Sequence, residues 1–126
     1  MSFSNYLETE ILDHVFGGAA YTAPSTLYVA LYTATPNDAG GGTELSGSGY
    51  TRKSAAFTTS GATTSNSGAV EYDTATGNWG TITHIGVFDA ATSGNLMAYG
   101  ALSASKAVDT GDVFRIPTGD LDITLN

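Results

Sequence analysis

WGTITHIGVFDAATSGNLMAYGAL, Trp79 to Leu102, reads as two apolar strands around a turn. The first strand runs to Phe88 and the second starts at Leu96. Between them, Asp89, Ser93, Gly94 and Asn95 are residue types that tolerate turn or left-handed backbone geometry. Downstream, Ser103 to Val108 is a weaker strand, Asp109 to Asp112 (DTGD) a tight turn and Val113 to Pro117 another strand, after which Leu121, Ile123 and Leu125 alternate in a last one. Upstream, Val70 and Tyr72 alternate with Glu71 and Asp73, and Tyr50 to Thr58 reads as a strand carrying Arg52 and Lys53. In TLYVALYT, Thr26 to Thr33, Leu27, Val29 and Leu31 alternate with Tyr28, Ala30 and Tyr32, so both faces are apolar and both need cover. About eight short strands at this spacing predict a mainly β protein, an antiparallel β-sandwich with the jelly roll among its candidate arrangements. Strand order is not encoded in this local pattern.

Ahead of the strands lies a short helix. Ser4 can cap it, Glu8 and Glu10 fall early where the helix dipole favours carboxylates, and Gly17-Gly18 ends it. Residues 1–18 are thus expected to form an N-terminal helix and residues 19–126 a single β-sandwich domain. Leu7, Ile11, Leu12, Val15 and Phe16 define one broad apolar face. A helix of about 12 residues is marginal alone, so this face packs on its own β domain or docks onto a neighbour. Leu7, Ile11 and Phe16, with Tyr28 and Tyr32 of the doubly apolar strand, are therefore the candidate interface residues. The stretch TATPNDAGGGTELSGSG, Thr33 to Gly49, is too polar and glycine-dense for regular structure. It is expected to be a long loop, either free in solvent or an arm that touches a neighbour or a host molecule.

Composition narrows the function. Charged residues make up 13% of the 126, against roughly 25% in ordinary soluble domains. A surface so poor in charge is readily buried against another protein, and the expectation is a homo-oligomer, a trimer foremost. The net charge of −8 with four cations, Arg52, Lys53, Lys106 and Arg115, argues against nucleic acid as a partner. No run approaches the roughly eighteen apolar residues of a membrane span, and MSFSNYLETE lacks the basic start of a signal peptide. Neither membrane insertion nor export by that route is expected. The absence of cysteine rules out a disulfide framework, a thiolate metal site and a cysteine nucleophile.

Little in the chain suggests catalysis or a cofactor. His14 and His84 have no third histidine and no carboxylate at a zinc-site spacing. GGGTELSGSG is not followed by the helix that a phosphate-binding loop requires. Asp109 and Asp112 with Asp120 and Asp122 could in principle gather around calcium, and Glu71 with Asp73 could act on glycans, but these are also ordinary turn and solvated-strand patterns. The expectation is a protein that is not an enzyme and carries no metal.

WGTITHIGVFDAATSGNLMAYG and the terminal GDLDITL, together with SNYLETEILDHVFGG, TLYVALYTATPNDAGGGTE and GYTRK, resemble a family of small tailed-bacteriophage virion structural proteins often labelled tail fibre proteins. The resemblance runs nearly end to end. It implies a component of the virion, assembled in the host cytoplasm, whose partners are copies of itself and other virion proteins of the capsid or tail. Because the chain lacks heptads and shaft repeats, it reads as a compact tile, which suits an oligomeric capsid decoration or cement subunit. The alternative is a tail fibre or baseplate subunit involved in host contact.

Overall fold

The computed structural model describes residues 1–125. In chain order the elements are β1 (Ser2–Phe3), α1 (Asn5–Val15), β2 (Leu27–Ala34), β3 (Thr43–Glu44), β4 (Lys53–Ala55), β5 (Phe57–Ser60), β6 (Thr63–Asn66), β7 (Val70–Glu71), β8 (Gly80–Phe88), β9 (Leu96–Val108), β10 (Arg115–Ile116) and β11 (Asp122–Thr124). The protein is mainly β with one short helix, and every strand pair is antiparallel.

The hairpin read from Trp79 to Leu102 forms the middle of the largest sheet. β8 pairs with β9 from Phe88 opposite Leu96 to Gly80 opposite Val108, so the weak strand after Leu102 is a continuation of β9. On its other side β8 pairs with β2, Leu31 facing Ile85, and β2 in turn carries β3 and β4 along its far edge. β1 closes the opposite edge against β9. The second layer consists of two smaller sheets, β7 with β10 and β5-β6-β11. The expected strand from Tyr50 to Thr58 is divided between the layers: β4 joins the large sheet, and past Ala56 the chain enters β5 of the small one.

The core between the layers follows the period-2 pattern in β2, while β8 contributes Ile82 and Ile85, three residues apart across the irregularity in its pairing with β9. Val29, Leu31, Ile82, Ile85 and Val108 of the large sheet meet Val70, Tyr72, Phe114, Ile116 and Leu121 of the cover. Trp79, 5% exposed, stands among them at ring-to-ring distances of 5.7 Å from Tyr50 and 6.4 Å from Tyr72, both edge to face. Its indole N–H donates to the Ser48 carbonyl at 2.8 Å. Asn66, also buried, ties the small sheet to the turn before β11: its amide donates to Gly68 and Pro117 carbonyls and its oxygen accepts the Leu121 N–H at 2.9 Å.

The other side of β2 is covered too, as its double apolar pattern requires. Ala30, Tyr32, Phe88 and Leu96 form a second cluster with Tyr99 against it. Gly86 makes this possible, because a Cβ there would lie 2.9 Å from Leu96 Cδ1 and 3.0 Å from Tyr32 Cε1. Beside the cluster α1 begins. Ser4, 1% exposed, accepts the Leu7 N–H at 3.2 Å as the helix cap, while its own hydroxyl donates to the Leu96 carbonyl and its N–H to Met97 at 2.9 Å. The cap therefore fixes the helix to the start of β9. The helix stops at the expected glycines, with Gly18 in the left-handed region at φ +73° and the Ala19 N–H returning to the Asp13 carbonyl at 3.0 Å.

Candidate functional site

Three surface features are built on this frame. The first lies at the tip of the β8–β9 hairpin. Glu44 accepts two parallel bonds from Arg52, Nε at 2.9 Å and Nη2 at 2.8 Å, and a third from the Tyr50 hydroxyl at 2.7 Å. That hydroxyl accepts the Leu31 N–H at 3.1 Å. The remaining Arg52 nitrogen, Nη1, donates to the Ala90 and Ser93 carbonyls at 3.0 and 2.8 Å. Arg52 thus joins the polar stretch before it to a hairpin tip some forty residues later in sequence.

The charges act on their neighbours. Bonding to Glu44 holds the Arg52 guanidinium above its usual pKa. Tyr32 is pushed up to about 12 by burial and by the Glu44 carboxylate. Burial likewise raises Tyr50 and Tyr72 far above the ordinary phenol value.

The stretch Thr33 to Gly49, expected to be a long loop without regular structure, is instead tied down. It contains β3, and its two acidic residues hold it at both ends: Glu44 through Arg52, and Asp38 through the Tyr99 hydroxyl and through its carbonyl, which accepts the Asn5 N–H at 2.8 Å. The bond to Asp38 raises the Tyr99 pKa. Gly42, φ +73°, turns so tightly that a Cβ would lie 2.8 Å from the Ala34 carbonyl oxygen. An acid within a glycine run and an arginine in a chain of four cations were the available sequence signals for this clamp.

The second feature is the helix, whose broad apolar face divides in two. Leu7 and Ile11 are half-buried. Leu12, Val15 and Phe16 project into solvent at 58, 61 and 81% exposure. Of the other two interface candidates, Tyr28 is half-buried and Tyr32, at 4% exposure, lies in the second cluster. Three of the five thus belong to α1 and its C-cap and two to β2. His14 helps hold the helix end: its Nδ1 accepts the Tyr21 N–H at 3.2 Å.

The third feature is a groove of about 830 Å³ between the far half of β9 and the segment from Asp112 to Asp122. It opens where β9 bulges. Ile82 faces Lys106 and His84 faces Ala101, so Leu102 to Ser105 bow outward opposite Thr83 alone.

Three of the six carboxylates singled out in the sequence are occupied locally. Asp112 accepts the Asp109 N–H at 2.9 Å, Asp122 the Ser65 hydroxyl, and Asp73 pairs with Lys53 at 3.0 Å. Among the described residues no three His, Asp or Glu side chains gather as a metal would require, and no helix is long and apolar enough to cross a membrane.

A helix docked through its cap, a signature hairpin and a terminal strand all fall within one match. The profile of a family described as Podophage GP4 fiber I protein gp80 matches residues 2–124. The chain belongs to this family. No curated protein matches it. Membership in a phage fibre family makes the chain a virion structural component, as the resemblance of its hairpin and termini implied. The clamp and the helix lie inside the region the fibre family shares, as does the groove apart from Met1.

Proposed function

We propose that this protein is a structural subunit of the phage's fibre apparatus, one that assembles with copies of itself and with other virion proteins and catalyses no reaction. The family match over residues 2–124 carries the reading, and it favours the tail fibre alternative over capsid decoration. The architecture supports it. A two-layer β body of this size cannot form a shaft alone, but its clamped hairpin tip and exposed helix end give it two differentiated surfaces with which to join a larger assembly. The low charge suits burial in such an assembly, and the scarcity of cations keeps nucleic acid out of the partner set.

Gold labelling of a C-terminal tag on intact virions tests the location by electron microscopy. Label confined to the tail or its fibres supports the proposal. Label spread over the shell supports decoration instead.

A further inference from the structure

We propose that β5 pairs with itself: Phe57–Ser60 of one subunit aligns antiparallel with the same strand of a second copy about a two-fold axis at Thr58, joining two three-stranded sheets edge to edge. This names one self-contact of the fibre subunit and so rests on the reading above, but it is testable in solution without virions.

The other sheet edges are blunted. An open strand edge invites pairing, and proteins protect it with charge, proline, bulges or extreme shortness. β1, β3, β7 and β10 are two residues long. β4 carries Lys53 and β11 carries Asp122. β1 covers β9 at Ala98 and Tyr99, and the half of β9 beyond it is broken by the bulge at Leu102 to Ser105 and carries Lys106. β5 has none of these devices. Its pairing with β6 runs without a register shift, and no charged residue and no proline occurs from Ser54 to Val70.

The phase of the hydrogen bonds defines what this edge accepts. The Ser67 N–H donates to the Ala56 carbonyl at 2.9 Å, so Ala56, Thr58 and Ser60 exchange bonds with β6, while the N–H and C=O groups of Phe57 and Thr59 point the other way. Among the described residues no backbone group bonds to them. Donors and acceptors in this alternation fit another extended backbone. In antiparallel register Phe57 faces Thr59 of the second copy and Thr59 faces its Phe57, each pair exchanging two bonds, and Thr58 faces its own counterpart. The edge is thus self-complementary. Phe57, half-buried against the core, gains a β-branched neighbour in Thr59 of the second copy. Charge favours the same contact, because copies of a chain with net charge −8 repel one another, whereas this strand brings no like charges together. The contact is isologous and closes on two copies.

The chain has no cysteine, so a single introduced thiol in the full chain reports the register. Residues opposed in a non-hydrogen-bonded antiparallel pair lie about 4.5 Å apart at Cα, within disulfide range. Thr58→Cys, checked for retained β structure by circular dichroism and held in a glutathione redox buffer, is expected to accumulate covalent dimer on non-reducing gels. Ser60→Cys should stay monomeric there, because its two copies would lie four residues out of register, roughly 13 Å apart. Adding Thr59→Pro to Thr58→Cys removes an N–H that β6 does not use, and should cut trapping at least about tenfold while the circular dichroism is kept. A Thr58→Cys variant that stays monomeric overturns the proposal. So does Ser60→Cys cross-linking as readily as Thr58→Cys, or trapping that Thr59→Pro leaves unchanged. Failure of any kind leaves the tail location, read from virions, undisturbed, and label over the shell would refute that location without touching this contact.

Discussion

The guanidinium of Arg52 lies 3.6 Å from the centre of the Phe88 ring while its edge is forked onto Glu44. One side chain thereby satisfies a carboxylate, two hairpin-tip carbonyls and an aromatic face that is itself part of the second apolar cluster. The Arg52 side chain is 8% exposed and that of Glu44 25%, so water screens the pair little.

Removing one partner should therefore be costly. Arg52→Met is expected to lower stability by about 3 kcal/mol, the low end for breaking a buried pair. Arg52→Lys should recover little, because a lysine cannot reproduce the fork. Once Arg52→Met is present, adding Glu44→Gln should cost much less than it does in the wild type. A double-mutant cycle by urea denaturation measures this, and additive effects would show that the two residues are uncoupled.

Trp79→Ala should cost about 3 to 5 kcal/mol, since the indole is buried among aromatic rings and its loss leaves a cavity, while the Ser48 carbonyl keeps the Thr76 N–H as its partner. Chemical denaturation gives the value. A loss under about 1 kcal/mol would be incompatible with a ring in the core.

Gly86→Val should destabilise by about 1 to 3 kcal/mol through overpacking against Leu96 and Tyr32. Phe16→Ser, on a side chain 81% exposed, should change subunit stability by less than about 0.5 kcal/mol. Thermal melts of the two variants, run at a concentration where the subunit is monomeric, should separate them clearly.

Alkaline pH should unfold the protein. Tyr32, Tyr50 and Tyr72 have raised pKa values, so the folded state holds phenol protons that the unfolded chain releases near pH 10. Stability from this source is complete below about pH 10 and declines as pH rises through 10 to 12 and beyond. Tyrosinate absorbance and circular dichroism recorded together should show these phenols ionising with loss of structure. Full ionisation of all seven tyrosines in a folded protein would contradict the burial.

The hairpin, the capped helix and the doubly covered strand β2 were legible because each follows from spacing within a short window: alternation in Leu27 to Tyr32, turn residues between Phe88 and Leu96, a serine before the helix and glycines after it. What was not legible is non-local. Nothing near Glu44 announces that Arg52 will carry it to Ala90 and Ser93, and nothing near Ala56 announces a change of sheet. The helix lies between these cases. The width of its apolar arc was visible, but which half turns inward depends on where Ser4 meets β9.

That meeting of Ser4 with Leu96 bears on how the chain is made. Residues leaving the ribosome first cannot take their final places until the last third has emerged, because β2 finds its central partner in β8 and the helix cap finds its acceptors in β9. During synthesis the sticky helix and the two-faced strand wait unpaired, in a topology whose long-range pairings make for slow folding. Phage production through this chain is thus exposed, for the duration of each translation, to whatever in the crowded host cell can bind a nascent apolar strand.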